Sequence, residues 1–202
     1  MTHILEHFKK VDPKLYPYVE KFIGDLVLSR YEPKDYFERI CRAIAFQQLT
    51  GKAATTIYNR VLDLFPNKTY TPELLIKIDH EKLRAAGLSN AKARYMKNIA
   101  EAQVDGLVDF NKVDKLSDEE VIAHLVQIKG VGTWTAEMFL IFSLCRPNVY
   151  SHGDLGLKNA VKKLYNIDPR LHTRKLKKLL DSWHPYHSII SRYLWKSLEP
   201  KD

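Results

Sequence analysis

The chain has 202 residues and only two cysteines, Cys41 and Cys145. Two thiols cannot build a disulfide scaffold, a four-cysteine zinc site or a four-cysteine iron–sulfur cluster. Long apolar runs are missing too. The best, Met138 to Leu144, falls far short of the roughly 20 residues that a membrane-spanning helix needs. Met1 to Lys10 has no apolar core behind a basic start and does not read as a signal peptide. There is no Gly/Ser linker, internal repeat or low-complexity tract. Acidic residues are outnumbered: 24 Asp and Glu against 32 Lys and Arg leave a net of +8. What is left is a soluble, intracellular globular protein with no membrane segment. Its 45% hydrophobic content is enough for a sizeable core, and its charge suits a polyanionic partner.

The dominant period is helical. Leu15, Tyr18, Val19, Phe22, Ile23, Leu26 and Val27 follow i, i+3, i+4, i+7 spacing, a stripe that faces a core. Phe37, Ile40, Cys41, Ile44 and Ala45 repeat it after Asp35, which predicts an N-cap there. The next place on that stripe falls to Gln48, beside Gln47. Amides where an apolar residue is due need partners, within the protein or on a ligand.

Further helix starts are marked by capping residues. Thr50 precedes a helix carrying Ala54, Ile57, Val61 and Leu64. Thr71-Pro72-Glu73 places proline at the first helical position, and Asp79 to Ala86 is stopped by Gly87. Ser89 opens Ala91 to Val104, and Ser117-Asp118-Glu119-Glu120 is a capping box. Later helices are predicted over 134–145, 155–164, 174–182 and 186–197. No alternating strand pattern competes, so the fold class is all-α.

Charge is uneven. Lys158 to Lys178 holds eight Lys and Arg against one Asp, a net of +7. Glu101 to Glu120 holds seven acids against two lysines, a net of −5. Two solvated faces explain this, and so does one face that follows a phosphate backbone while the other turns away.

The segment Ile128-Lys129-Gly130-Val131-Gly132-Thr133-Trp134-Thr135-Ala136 places two glycines in a tight turn between a capped helix and a strongly apolar one. The N–H groups that open the second helix carry the positive end of its dipole and suit a phosphate oxygen. A plain helical hairpin turn has the same glycines.

This segment resembles the helix-hairpin-helix signature of DNA base-excision glycosylases. Asp154, 22 residues past Gly132, lies where that superfamily keeps its essential aspartate. Three further blocks resemble the alkylation-repair branch, the 3-methyladenine DNA glycosylases of type II. They are Ala45-Phe46-Gln47-Gln48-Leu49-Thr50-Gly51-Lys52-Ala53-Ala54, Gly87-Leu88-Ser89-Asn90-Ala91-Lys92-Ala93, and Trp183-His184-Pro185-Tyr186-His187-Ser188 with Tyr193-Leu194-Trp195.

The resemblance implies two helical subdomains with the active site in the cleft between them: a middle one over 36–134, and a second made of 1–35 and 135–202. It implies a monomer that acts on double-stranded DNA containing alkylated bases, in the cytoplasm (nucleoid) of a prokaryote or the nucleus of a eukaryote. It assigns Asp154 as the catalytic carboxylate, although by itself the residue could simply cap a helix. Trp134 stands where lyase-competent relatives carry a Schiff-base lysine; without an amine, the implied enzyme is monofunctional and hydrolytic. Trp134, Trp195, Met138 and Tyr193 are the implied base pocket, with an indole face suited to a cationic purine.

Gln47, Gln48, Leu49 and Thr50 match the segment that probes the minor groove and fills the gap left by the extruded base. Lys129, Gly130, Gly132, Thr133, Lys158, Lys162 and Lys163 are candidate phosphate partners. Catalysis is expected to need no cofactor, with carbonyls of Ile128 and Gly130 as ligands of a structural Na+ or K+. His184 and His187, three apart, lack a carboxylate or cysteine companion for metal catalysis. The competing expectations are a glycosylase of the same fold for another purine lesion, and a non-catalytic module that binds damaged DNA.

Overall fold

The structure is a computed structural model that describes residues 2–22, 24, 30–49 and 51–198. Among the described residues there are twelve α-helices and no strand, and no helix is long and apolar enough to cross a membrane. The chain divides into two compact units. The middle unit is Arg30–Leu144; the end unit joins Met1–Ser29 to Cys145–Asp202.

The middle unit holds α3 (Tyr36–Phe46), α4 (Gly51–Leu62), α5 (Pro72–Lys77), α6 (His80–Ala85), α7 (Asn90–Val104), α8 (Asp118–Leu125) and α9 (Thr133–Phe142). Helix α3 buries the whole expected stripe of Phe37, Ile40, Cys41, Ile44 and Ala45 and packs on α4, α7 and α9. The capping residues act where the sequence places them. Thr71, Asp79, Ser89 and Ser117 each accept a bond from a first-turn N–H, and Glu120 returns the Ser117 bond at 2.7 Å. Asp35 departs from its expected role. It ends a short 3-10 turn, and its carboxylate accepts from the Glu32 N–H behind it at 3.3 Å, not from α3.

This unit extends beyond the expected 36–134 at both ends. Helix α9 packs on α3 and α8 and buries Ala136, Phe139, Leu140 and Ile141. At the front, the Tyr31 N–H donates to the Ser143 carbonyl at 3.4 Å. The apolar faces of α9 therefore carry the unit to Leu144.

The end unit holds α1 (Thr2–Val11), α2 (Tyr16–Phe22), α10 (Leu155–Tyr165), α11 (Thr173–Trp183) and α12 (His187–Lys196). Of the first predicted stripe, Leu15 and Val19 are fully buried, while Ile23, Leu26 and Val27 lie outside the described residues. The core gathers Phe8, Leu157, Val161, Trp183, Ile190 and Leu194. One buried carboxylate ties its far ends together. Asp12 accepts from Tyr165 Oη at 2.6 Å, Trp183 Nε1 at 2.7 Å and the Leu15 N–H at 3.0 Å. These three bonds satisfy an acid that burial would otherwise make costly.

Candidate active site

In the middle unit, α3 ends at Phe46, and the chain reaches the Gln-Gln segment in a different conformation from the one periodicity predicts. Gln48 adopts a left-handed φ of +56°, so it is no longer on the α3 stripe. The two amides have separate fates. Gln47 Nε2 donates to the Thr135 hydroxyl at 2.9 Å, which bolts this loop to α9. Gln48 and Leu49 are exposed, Leu49 at 41%. Thr50, predicted both as a cap and as a groove residue, lies outside the described residues.

The hairpin follows. Helix α8 ends at Leu125, two residues before the expected Gln127, and two tight turns close with Ile128 N–H on Leu125 O and Val131 N–H on Ile128 O, at 3.1 and 3.0 Å. Gly130 has φ +107°, and a Cβ there would lie 2.2 Å from the Tyr95 ring. Both facts require glycine. Gly132 is different: it is the N-cap of α9 at φ −94°, with open space around the place of a Cβ. As N-cap, Gly132 brings no side chain to the opening N–H groups of α9, and a helix start of this kind suits an anion. Asn98 Nδ2 donates to the Lys129 carbonyl at 2.8 Å, and the Lys129 side chain is exposed. Trp134 sits half-buried in the first turn of α9, and Met138 is 8% exposed one turn on.

In the end unit, Asp154 is the N-cap of α10 and is 9% exposed. Its Oδ1 accepts from the Leu157 N–H at 2.7 Å and from Trp195 Nε1 at 2.9 Å. The cap reading of this residue is therefore correct, and the same carboxylate is also held by an indole 41 residues away. Both bonds fall on Oδ1, one from the helix backbone and one from a distant side chain, and together they hold that oxygen in place. Trp195 is half-buried, and its ring N–H is committed to the acid.

Two neighbours escaped the sequence reading. A Cβ on Gly156 would fall 2.9 Å from Trp195 Cδ1 and 3.0 Å from Asp154 Oδ1, so glycine keeps the path of that bond clear. The signal was a glycine inside a helix, which usually marks a close approach. Tyr150 lies beside the acid. Burial, and secondarily the Asp154 charge, push its hydroxyl well above the usual range, and the phenol stays neutral.

Tyr193, expected in the base pocket, is 1% exposed and belongs to the core of the end unit. Its position on the buried face of α12 decides this, since it lies three residues from Ile190 and joins the same core cluster. Lys163 is exposed, and its ammonium donates to the Ser197 carbonyl at 3.1 Å. Lys158 and Lys162 line a recess of about 130 Å³ with Leu155, Asn159, Asp168 and Arg170. There Arg170 meets Asp168 at 3.0 Å and holds that carboxyl down at about 2. His187 Nε2 bonds the Leu180 carbonyl at 2.8 Å, and no group of three metal-ligating side chains exists among the described residues.

The chain is similar to known proteins over nearly its whole length. The chain is 38% identical over 186 residues to DNA-3-methyladenine glycosylase 1 of Schizosaccharomyces pombe, covering 90% of this chain and 81% of that protein. It is 31% identical over 198 residues to the alkylbase DNA glycosidase-like protein mag2 of the same yeast, covering 95% and 91%. Among solved structures, S. pombe 3-methyladenine DNA glycosylase (Mag1) in complex with abasic DNA superposes with a TM-score of 0.83. That pair shares 35% identity, with 96% of each chain covered. Residues 41–185 match the family described as "HhH-GPD superfamily base excision DNA repair protein". That span runs from the buried face of α3 through the glycine hairpin and Asp154 to the Trp183-His184-Pro185 block, and the chain belongs to this superfamily.

Proposed function

We propose that the protein is a monofunctional DNA glycosylase that excises alkylated purines of the 3-methyladenine and 7-methylguanine type in base excision repair. The observation that carries this reading is the Asp154 carboxylate, nearly buried and clamped by Leu157 N–H and Trp195 Nε1. A glycosylase must take its nucleotide out of the stack before it can reach the glycosidic bond. Leu49, apolar and 41% exposed beside Gln48, is the side chain suited to fill the gap. Gln47, bonded to Thr135, holds the loop.

An alkylated purine is cationic. When the C1′–N bond breaks, its electron pair stays with the base, which leaves neutral, and positive charge builds on the deoxyribose. Asp154 stabilises that charge and takes the proton of the water that adds to C1′. The products are free base and an intact abasic site. Trp134 offers an indole face to the cation and no amine for a Schiff base. The glycine-capped start of α9, with Lys129, Gly130, Gly132 and Thr133, receives a phosphate; Lys158 and Lys162 add charge on the end unit.

Catalysis in this scheme needs no cofactor. The hard carbonyl oxygens of Ile128 and Gly130 have the chemistry to hold Na+ or K+, since Ile128 O keeps a lone pair beside its bond from Val131. Such an ion would brace the turn. The substrate is double-stranded DNA within the cell, met by one copy of the chain.

The test is base release from DNA treated with a methylating agent, by wild type and Asp154→Asn. Asparagine caps a helix about as well as aspartate, so the melting temperature should hold while release falls by a factor of about 10² or more. Equal release would make Asp154 a cap alone. Tight binding to damaged DNA without any release would make the protein a binding module.

A further inference from the structure

The Gly87-x-Ser89-x-x-Lys92 segment has no part in the mechanism so far, yet its local chemistry is unusual. Gly87 turns the chain at φ +110°, and a Cβ there would come within 2.9 Å of Ile57. Ser89 caps α7 by accepting from the Lys92 N–H at 3.2 Å. Lys92 thus occupies the first turn of α7, the positive end of that helix, where a cation is unfavourable. Its side chain is also partly withdrawn from water, and burial lowers its pKa. Something must offset both costs.

The offset lies on another helix. Lys92 Nζ donates to the carbonyl of Ala45 at 2.9 Å and to that of Gln47 at 2.6 Å. These are carbonyls at the C-terminal end of α3, which the helix leaves without partners of its own and where its dipole is negative. The next residue, Gln48, holds a left-handed φ of +56°. A non-glycine side chain persists in that conformation only where its surroundings hold it there. The Lys92 ammonium supplies one such hold and the Gln47–Thr135 bond another.

We infer that Lys92 is a positioning residue: its ammonium locks the end of α3 and thereby fixes the backbone from which Gln48 and Leu49 project toward DNA. The same face of α7 continues with Tyr95 beneath Gly130 and Asn98 on the Lys129 carbonyl. One helix therefore braces both the gap-filling loop and the phosphate-binding turn. The inference rests on the reading of Gln48 and Leu49 as DNA-contacting residues.

The experiment separates the two. Lys92→Met keeps the stem and removes the charge. In the free protein, amide hydrogen exchange at Leu49, whose N–H is bonded to the Phe46 carbonyl, should accelerate in this variant, with the melting temperature little changed. Unchanged exchange overturns the clamp whatever DNA does. On methylated DNA, kcat for base release should drop about tenfold or more with KM within about threefold of wild type, and Lys92→Arg should recover most of the loss. In a duplex carrying an abasic-site analogue beside 2-aminopurine, Lys92→Met should lose the fluorescence change that marks loop insertion.

Because Lys92 acts through the loop, Lys92→Met with Leu49→Ala should be no slower than Leu49→Ala alone. Losses that multiply overturn the inference. Faster exchange in Lys92→Met, combined with full activity in Leu49→Ala and Gln48→Ala, would uphold the clamp and discard the DNA-contact reading. If Lys92→Met does not fold, Lys92→Gln, with fewer donors, takes the same measurements.

Discussion

Gly156 shows how much a single missing side chain can decide. It sits in the first turn of α10, where alanine would gain about 1 kcal/mol of helix propensity. The Cβ would meet both Trp195 and Asp154 Oδ1 at about van der Waals overlap, 2.9–3.0 Å. Gly156→Ala should therefore leave stability within about 1 kcal/mol of wild type while pushing the indole off the carboxylate. A loss of about ten- to a hundredfold in kcat, with KM nearly unchanged, is the expected result in steady-state base release. Wild-type kcat would remove the Trp195–Asp154 bond from the catalytic apparatus. Asp154 itself was legible as a cap and as a motif residue, because both signals are local. Its bond to Trp195 spans 41 positions, and no spacing rule reaches that far. The same limit hid the difference between Gln47, which turns inward to Thr135, and Gln48, which does not.

The helices α8 and α9 and the turn between them illustrate a second level. Sequence treats Gly130 and Gly132 as a pair, but packing separates them. Gly130 combines φ +107° with the Tyr95 ring 2.2 Å from the place of a Cβ, whereas Gly132 has an ordinary φ and open surroundings. Gly130→Ala should cost about 3 kcal/mol or more, by overpacking and backbone strain together. Gly132→Ala should cost about 1 kcal/mol, the price of a poor N-cap. Chemical denaturation of the two variants checks the ranking, and equal losses would refute it. Gly132→Ala should still weaken binding to abasic DNA, because its methyl would crowd a phosphate at the start of α9. Helix starts were legible within about two residues from caps, whereas the helix expected over 134–145 ends at Phe142, where no capping residue marks the end. Asp35 failed because a 3-10 turn before α3 claimed its carboxylate.

For the molecule as a whole, pH is the most informative variable. The middle unit buries Cys41 completely, and burial pushes its thiol far above the ordinary 9.0. Tyr58 and Tyr70 are raised above 10.0 for the same first cause. Each group keeps its proton in the folded state and loses it more readily when unfolded. Their contribution is present in full below the unfolded values of 9.0 and 10.0, and it declines as pH rises past them. The melting temperature should stay level with respect to these groups up to about pH 9 and then fall. Cys41→Ala and Tyr70→Phe should each flatten that fall, as thermal melts between pH 7 and 11 would show. A decline of equal steepness in the variants would assign alkaline sensitivity elsewhere. Cys41 should also resist alkylation at pH 8 until the protein unfolds.

By itself the sequence determined the helical class, most helix starts, the glycine hairpin and the family to which the chain belongs. All of these are written in neighbouring residues, as apolar period, capping side chain or ordered motif. Tertiary structure alone decided the remainder. It carried the middle unit on to Leu144, moved Tyr193 into the core, brought Trp195 to Asp154 and delivered the Lys92 ammonium to the end of α3. Each of these joins residues far apart in the chain, and which distant groups meet depends on how whole helices pack, a property that no local pattern contains.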